Sequence, residues 1–139
     1  MAGVVVDSSF LVAELVGEEH SGFVRSAMRR LVDDALIAPG LLVWEITNVL
    51  QKKVRQGRLS PDERTVLLDR LERLAVVLQP TPDLAACAPL LELCDRHGLT
   101  TYDAAYLLLA TTEDAALASL DDHLVKAARA EGLTVHSPF

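Results

Sequence analysis

Short apolar runs alternate along this chain with longer stretches in which apolar residues recur every three or four positions. The continuous runs predict strands, and the helical spacing predicts amphipathic helices. The predicted strands cover residues 3–7, 36–38, 75–78, 115–120 and 133–135. The predicted helices cover residues 10–15, 21–32, 41–56, 60–74, 83–97, 101–110 and 122–131. Strands that alternate with helices in this way are typical of an α/β fold with a parallel sheet.

The first strand indicates what kind of sheet to expect. Its centre, Val4-Val5-Val6, is continuous and β-branched, which is typical of a strand that is buried on both faces between layers of helices. We therefore predict an α/β sandwich in which helices flank a parallel sheet. In open sheets of this kind, ligands bind beyond the carboxyl ends of the strands, where the strand order reverses.

Length and composition indicate one domain of ordinary size. With 139 residues, 50% of them hydrophobic, the chain can bury its own core, and we expect a single domain over residues 1–139. No apolar run is long enough to cross a bilayer, and no basic segment with a following apolar stretch precedes the first strand. We therefore expect a cytoplasmic protein with no membrane partner. Cys87 and Cys94, about 10 Å apart along one predicted helix, are too distant for a disulfide.

The net charge of −7 argues at first against a nucleic-acid partner. Two bound divalent cations would cancel four of these negative charges, however, and the basic residues are unevenly distributed. They concentrate in one stretch with Arg25, Arg29 and Arg30, and in another with Lys52, Lys53, Arg55 and Arg58. The overall charge therefore does not exclude RNA as a substrate.

Several acidic residues lie within apolar sequence where the chain is predicted to pass from strand to helix, or on a helix that faces that edge. These residues are Asp7, Glu45, Asp103 and Asp121. A carboxylate among apolar residues costs free energy unless another group compensates its charge. Carboxylates that are brought together also repel one another, which raises some of their pKa values. A hard divalent cation with oxygen ligands relieves both effects, so the set predicts a Mg²⁺ or Mn²⁺ site.

Each of these acids also has an ordinary structural explanation. Asp7 and Asp103 can serve as helix N-caps, and Glu45 can be a solvated helix residue. Asp121 and its neighbour Asp122 can both be caps, so the choice between them stays open. The functional interpretation depends on the acids occurring together. It predicts phosphodiester hydrolysis of RNA, because divalent cations activate water and stabilise the transition state of phosphate transfer.

Segments of the sequence are similar to the signature blocks of PIN-domain proteins. They read Val-Val-Val-Asp-Ser-Ser at 4–9, Glu-Ile-Thr-Asn-Val-Leu at 45–50, Leu-Thr-Thr-Tyr-Asp-Ala-Ala-Tyr-Leu at 99–107 and Leu-Ala-Ser-Leu-Asp at 117–121. The blocks occur in the family's order, and the resemblance covers the whole chain. The second and third blocks are the most specific, and the length resembles that of the single-domain VapC-type toxins of toxin–antitoxin pairs.

This resemblance implies a PIN-like three-layer fold with a parallel five-stranded sheet and a Mg²⁺- or Mn²⁺-dependent endoribonuclease activity. It places the family's catalytic and metal-binding quartet at Asp7, Glu45, Asp103 and Asp121. Asp121 is preferred to Asp122 because the last acid of the family directly follows a strand and lies two residues after a Ser or Thr, here Ser119. The resemblance further implies the toxin of a type II toxin–antitoxin system, which cleaves RNA, forms a homodimer and binds a cognate VapB-type antitoxin.

Residues around the quartet are predicted to support it. Ser9 and Ser119 resemble hydroxyls that orient carboxylates or water. Asn48, one helical turn after Glu45, is a further candidate, and Asp122 could share the metal or replace Asp121. The RNA-contact candidates are Lys52, Lys53, Arg55 and Arg58, each of which an ordinary solvated face explains equally well. The histidines are isolated in the sequence and receive no ligand role; His97 is expected to contact a helix dipole.

Other functions remain as alternatives. A housekeeping PIN nuclease of RNA maturation or decay would have the same chemistry with a different substrate. A phosphoacceptor signalling domain also has a parallel α/β fold and an acidic Mg²⁺ pocket. That design needs an acid pair after the first strand and a lysine at a late strand end, whereas here Ser8 follows Asp7 and Lys126 lies within a predicted helix. A catalytically silent PIN scaffold is disfavoured by the complete set of acids.

Overall fold

The computed structural model describes residues 3–17 and 19–139. Its strands are β1 (Val4–Val6), β2 (Leu36–Pro39), β3 (Val77–Gln79), β4 (Ala116–Ala118) and β5 (Val135–His136). Its α-helices are α1 (Ser8–Val16), α2 (Ser21–Arg30), α3 (Leu41–Arg55), α4 (Pro61–Arg73), α5 (Ala88–His97), α6 (Thr101–Thr112) and α7 (Asp122–Ala130). A 3₁₀ turn over Leu84–Ala86 precedes α5. Strands and helices therefore alternate as the sequence pattern predicts.

The strands form one parallel sheet in the order β3-β2-β1-β4-β5. At its centre, Val5 of β1 pairs with Ile37 of β2 and with Leu117 of β4. This arrangement confirms the predicted α/β fold with a parallel five-stranded sheet. The strand order reverses beside β1, because the chain runs outward through β2 and β3 and then returns to β4 on the other side of β1.

Helices cover both faces of this sheet. Connections between parallel strands are right-handed, so α1 to α4, which lie on the path from β1 to β3, cover one face. The path changes direction after β3, which places α5, α6 and α7 on the other face. The contacts agree, because α1 contacts α2, α3 and α4, whereas α6 contacts α5 and α7 and packs across β1, β2 and β4. The result is the predicted three-layer sandwich.

The core lies on both sides of the two central strands. Val5 and Val6 of β1 and Leu117 of β4 have no exposed surface, and Phe10 of α1 is equally buried. Full burial of such side chains stabilises the fold by about 1.5–3 kcal/mol each. The buried centre of the sheet therefore leads directly to Asp7, the residue that follows β1.

Some predicted boundaries are wrong. The helix predicted over 83–97 is interrupted, because 84–86 is a 3₁₀ turn and α5 begins only at Ala88. Pro89, in the first turn of α5, has no N–H to donate and its ring excludes a continuous helix through residue 85. Cys87 and Cys94 are free, and Cys87 lies at the break instead of on the same helix.

Strand boundaries shift as well. The third strand begins at Val77 instead of residue 75, because Ala75 adopts a left-handed conformation with φ 53° where the chain leaves α4. The fourth strand is limited to 116–118 and the fifth lies at 135–136, so both are shorter than predicted. Among the helices that the structure describes, none is long and apolar enough to span a membrane.

Candidate metal-binding active site

The elements that carry the four predicted acids meet at the carboxyl edge of the sheet. Asp7 directly follows β1, and Asp121 comes three residues after the end of β4. Glu45 lies in the second turn of α3, which begins directly after β2. Asp103 lies in the first turn of α6. The end of α6 leads to the amino end of β4, so the start of α6, with Asp103, lies at the carboxyl edge of the sheet. The structure thus brings these acids to one edge, where the strand order reverses.

Asp7 is buried and its carboxylate is held on both oxygens. Its Oδ1 accepts hydrogen bonds from the Phe10 amide at 3.0 Å and the Ser9 hydroxyl at 2.7 Å, and its Oδ2 accepts one from the Ser119 hydroxyl at 2.5 Å. Burial raises the pKa of Asp7 to about 6, against the effect of these hydrogen bonds, and the charge of Asp121 acts in the same direction as burial. Asp7 is the N-cap of α1, so its structural role holds whatever else it does.

Two hydroxyls connect Asp7 to the segment after β4. The Ser9 oxygen accepts a hydrogen bond from the Leu120 amide at 3.0 Å, and the Ser119 oxygen accepts one from the Asp121 amide at 2.9 Å. Ser119 has no exposed surface. Both serines therefore orient the Asp7 carboxylate and fix its distance from the backbone that carries Asp121.

Asp121 and Asp122 have different environments. Asp121 is half-buried and is the N-cap of α7, with Oδ1 accepting hydrogen bonds from the amides of His123 at 2.9 Å and Leu124 at 3.2 Å. Asp122 is exposed and forms an ion pair with Lys126 at 3.0 Å, one turn further along α7. Asp121 is the acid whose charge raises the pKa of Asp7. The structure therefore favours Asp121 over Asp122 as the member of the cluster.

Glu45 is half-buried on α3 and is held by a residue of the opposite helical layer. The Tyr106 hydroxyl on α6 donates a hydrogen bond to Glu45 Oε1 at 2.5 Å. Ile46 is fully buried and Trp44 is 78% exposed, so Glu45 lies at the boundary between core and solvent.

Asp103 is half-buried, and the negative charges of neighbouring acids act on its carboxylate. Burial raises the pKa of Asp103, the charges of Asp121 and Glu45 raise it further, and His123 and Thr100 oppose the shift. The N-cap of α6 is Thr100, whose hydroxyl accepts a hydrogen bond from the Asp103 amide at 3.2 Å. The alternative explanation of Asp103 as a helix cap is therefore wrong, which leaves its carboxylate without that structural role.

The described residues offer these acids no close ion pair. Within residues 3–17 and 19–139, none of the four acids has a Lys, Arg or His nitrogen within the 4.0 Å of an ion pair, and the charge of His123 acts on Asp103 only from beyond that distance. Their hydrogen-bond donors are the neutral hydroxyls and amides described above. The carboxylates therefore retain negative charge in a partly buried setting, which is the chemistry that a hard cation with oxygen ligands relieves.

The donor set suits Mg²⁺ or Mn²⁺, but the side chains are not arranged as a preformed cage. Across the described residues, no three Asp, Glu, His or Cys side chains are grouped closely enough to hold a metal ion. Asp7 is fixed on both oxygens, so closing around a cation requires rotation of less constrained side chains, of which Asp103 is one. Mg²⁺ commonly keeps several waters and needs only one or two carboxylates, so incomplete convergence is compatible with binding.

The predicted RNA contacts on α3 and beyond differ in accessibility. Lys52, Arg55 and Arg58 are exposed, as is Asn48. Lys53 is only 8% exposed, because it lies on the stripe of α3 that faces the molecule. A phosphate needs an accessible cation, so Lys53 is poorly placed for RNA contact, whereas the other three cations stay candidates.

Sequence reasoning missed two kinds of contact. The sequence pattern gives the Tyr106 hydroxyl no partner, although a buried tyrosine hydroxyl usually needs one, and this is the available signal. His97 and His123 are not isolated: His97 Nε2 lies 2.8 Å from Glu131 Oε2, and His123 Nε2 donates to the His97 carbonyl at 3.0 Å. These contacts join residues far apart in sequence, so local patterns could not show them.

The combination of this sheet order with an acidic carboxyl edge defines the class of the protein. The PIN domain family profile matches residues 4–130, and the chain belongs to that family, as its signature blocks predicted. The chain is 32% identical over 123 residues to ribonuclease VapC3 of Pyrobaculum aerophilum, with 88% of this chain and 92% of the relative covered. It is 33% identical over 125 residues to ribonuclease VapC1 of Mycobacterium tuberculosis, with 88% and 89% covered.

Solved structures share the fold at lower identity. PAE2754 from Pyrobaculum aerophilum superposes with a TM-score of 0.70 at 22% identity, covering 96% of this chain and 83% of that one. VapBC2 from Rickettsia felis, crystallised bound to a DNA fragment from their promoter, has a TM-score of 0.70 at 14% identity, with 96% and 97% covered. FitAcB from Neisseria gonorrhoeae has a TM-score of 0.69 at 19% identity, with 97% of each chain covered.

Proposed function

We propose that the chain is a Mg²⁺- or Mn²⁺-dependent endoribonuclease and the toxin of a type II toxin–antitoxin pair. The observation that carries the proposal is the acidic edge: Asp7, Glu45, Asp103 and Asp121 lie at one edge of the sheet, and within the described residues none of them forms an ion pair with a basic side chain. Membership of the PIN domain family and similarity to proteins named ribonuclease VapC support the activity and its biological setting.

The acids divide into fixed and adjustable ligands. Asp7 and Asp121 are held at strand ends by hydroxyls and backbone amides, and Glu45 is held through one oxygen by Tyr106. Asp103 has its amide engaged by Thr100, and the charges of both Asp121 and Glu45 act on its carboxylate. We infer that Asp7 anchors the cation and that Asp103 rotates to complete its coordination, with Glu45 and Asp121 contributing oxygens or holding water.

The reaction is hydrolysis of an RNA phosphodiester bond. Water attacks the phosphorus, the bond from phosphorus to the leaving oxygen breaks, and the leaving oxygen takes up a proton. A bound Mg²⁺ or Mn²⁺ would lower the pKa of the attacking water and offset negative charge on the phosphate. The chain's own residues align the carboxylates, and Lys52, Arg55 and Arg58 are proposed to contact the RNA backbone beyond the scissile bond.

The partners follow from the relatives and not from a contact in the structure. We propose a cytoplasmic protein that pairs with a cognate VapB-type antitoxin, since the similar chain from Rickettsia felis was crystallised as VapBC2. An antitoxin could inhibit by bringing an Arg or Lys side chain to the carboxylates, where a charge-assisted hydrogen bond would replace the cation. We also propose that the chain forms a homodimer.

Cleavage of RNA by purified protein tests the activity. Wild-type protein, Asp103→Asn and Asp122→Asn are incubated with total RNA in Mg²⁺, in Mn²⁺ and in EDTA. We expect wild-type protein and Asp122→Asn to cleave in either metal and not in EDTA, and Asp103→Asn to be inactive under all conditions. Asp122→Asn is the matched control, because it removes an exposed acid on the neighbouring helix.

Two results would contradict this assignment. Undiminished cleavage by Asp103→Asn would show that the acidic edge is not the active site, and cleavage in EDTA would show that no metal is needed. Induction in a bacterial host separates a toxin from a housekeeping nuclease. A toxin arrests growth when wild-type protein is produced alone, whereas Asp103→Asn does not, and co-production of the cognate VapB-type antitoxin restores growth.

A further inference from the structure

The Tyr106 hydroxyl is buried beside the four acids, and the proposed metal site gives it no role so far. Tyr106 is 1% exposed and lies three residues after Asp103, so both residues are on one side of α6. Its hydroxyl donates to Glu45 Oε1 at 2.5 Å, between residues 61 positions apart. Since α3 and α6 belong to opposite helical layers, this hydrogen bond joins the two layers across the carboxyl edge of the sheet.

The geometry makes the Tyr106 hydroxyl a hydrogen-bond donor. The side chain is 1% exposed, and its partner is a carboxylate oxygen, which accepts. An ordinary phenol keeps its proton at neutral pH, so the hydroxyl donates a hydrogen bond to Glu45 and adds no charge to the site.

Glu45 needs such a donor more than the other acids do. Its side chain has one more rotatable bond than aspartate and lies at the boundary between core and solvent. Its negative charge also raises the pKa of Asp103, so the two carboxylates repel each other. Repulsion from the other carboxylates would favour rotamers in which Glu45 points to solvent. The hydrogen bond to a rigid, packed phenol holds Glu45 Oε1 in place and leaves Oε2 available. Because the donor is neutral, it fixes the carboxylate without cancelling the charge that attracts a cation.

We propose that Tyr106 is a positioning residue that holds the Glu45 carboxylate towards the divalent cation of the active site. This inference rests on the proposed function and adds a residue to its machinery. It parallels the way Ser9 and Ser119 hold Asp7 through neutral hydroxyls. Removal of outer partners of metal ligands typically lowers metal affinity or activity about 10–100-fold.

The test replaces Tyr106 with Phe, which keeps the ring in the core and removes only the hydroxyl. Binding of Mn²⁺ is measured by calorimetry with no RNA present, and RNA cleavage is measured over a range of Mn²⁺ concentrations. We expect Tyr106→Phe to bind Mn²⁺ about 10–100-fold more weakly and to need correspondingly more metal for half-maximal cleavage, with partial recovery at saturating metal. Tyr102→Phe is the matched control, since Tyr102 lies on the same helix but is 64% exposed.

A double-mutant cycle shows whether Tyr106 acts through Glu45. Glu45→Gln, Tyr106→Phe and the double variant are compared with wild-type protein for Mn²⁺ affinity. We expect the tyrosine substitution to have little further effect once Glu45 is Gln, because its target is already changed. Equal losses in both backgrounds would overturn the proposal, as would wild-type Mn²⁺ affinity in Tyr106→Phe.

The outcomes also separate this inference from the proposed function. If wild-type protein binds Mn²⁺ but cleaves no RNA, the function is wrong and the affinity of Tyr106→Phe still decides the positioning role. If wild-type protein binds no Mn²⁺, both are overturned. Should Tyr106→Phe not fold, Glu45→Asp shortens the acid by one methylene and withdraws it from the phenol. The same loss of Mn²⁺ affinity is then expected, and unchanged affinity counts against the proposal.

Discussion

The Ser119 hydroxyl donates a hydrogen bond to Asp7 Oδ2 at 2.5 Å, which links the ends of two adjacent parallel strands across 112 positions of sequence. Ser119 is fully buried and Asp7 is 4% exposed, so water cannot replace this bond easily. The same hydroxyl oxygen accepts the Asp121 amide at 2.9 Å. One side chain thus sets the position of two acids at the point where the strand order reverses.

Replacing Ser119 with Ala should destabilise the protein and disturb Asp7. Loss of a donor to a buried acceptor costs about 1–3 kcal/mol, and the Asp121 amide loses its partner as well. We expect a lower midpoint of urea unfolding with an unchanged slope. Ser26→Ala is the control: Ser26 lies on α2, its hydrogen bond with Arg30 is exposed, and the substitution should change the free energy of unfolding by less than about 0.5 kcal/mol. Equal midpoints for the two variants would contradict a structural role of the Ser119–Asp7 bond.

Stability should depend on pH through Asp7. The pKa of Asp7 is about 6 in the folded protein, against an ordinary value of 3.8 for an exposed aspartate, so the folded state holds the proton more tightly than the unfolded state does. The contribution of Asp7 is therefore fully favourable below pH 4 and is lost as pH rises towards 6, by about 3 kcal/mol in total. Asp7→Asn cannot titrate. Its free energy of unfolding, relative to wild-type protein, should rise between pH 4 and 6 and stay level above that range.

This pH dependence is measured by urea unfolding in matched buffers with EDTA. Other carboxylates titrate in both proteins, so the informative quantity is the difference between the two curves. Asp122→Asn supplies the control, because it removes an exposed carboxyl in place of the buried one. A curve for Asp7→Asn that runs parallel to that of wild-type protein would contradict the raised pKa of Asp7.

Mg²⁺ or Mn²⁺ should stabilise the folded protein. At a metal concentration one hundred times the dissociation constant, we expect a gain of about 2.7 kcal/mol in the free energy of unfolding. Asp7→Asn and Asp103→Asn should lose most of this gain, whereas Asp122→Asn should keep it. Thermal unfolding with metal and with EDTA measures the effect. A shift of equal size in all variants would place metal binding elsewhere on the molecule.

Lys52 and Arg55 should contribute to RNA binding through phosphate contacts. Each exposed cation that pairs with a phosphate releases counterions, so Lys52→Ala and Arg55→Ala should each reduce the slope of log affinity against log salt by about one. Binding is measured by fluorescence anisotropy with Asp103→Asn as the background, so that the RNA is not cut. Arg73→Ala, which removes an exposed cation paired with Asp69 on α4, is the control. Slopes unchanged from this control would exclude α3 as the path of the RNA.

The parts of the fold that local sequence determines were predictable. Val4-Val5-Val6 identified the central strand, because only a strand buried on both faces tolerates a continuous β-branched run. The helix predicted over 60–74 begins where Ser60 and Pro61 supply a typical N-cap and first helical residue, and α4 has a complete capping box. Pro89 was overlooked, and it is the reason that the predicted helix over 83–97 begins as α5 only at residue 88. Ala75 gave no signal, since its left-handed conformation follows from the junction of α4 with β3.

The sequence selects the four acids of the candidate site by residue type, position and family pattern, whereas it shows few of the partners that the structure gives them. Asp7 is selected because it follows a buried strand, and Asp121 is preferred to Asp122 only through the family pattern. Ser9 and Ser119 were selected through the family pattern. The bond between Tyr106 and Glu45 depends on how α3 and α6 pack across the sheet, and no local pattern reports that distance.

The order of the blocks has a consequence for biosynthesis. Asp7 emerges first from the ribosome, but the hydroxyl of Ser119 that secures it is translated 112 residues later. A nascent or prematurely terminated polypeptide that stops before β4 contains neither this donor nor the fourth acid. The pocket described above can therefore form only after β4 has been translated, and polypeptides that stop before β4 are expected to lack any activity that depends on this pocket.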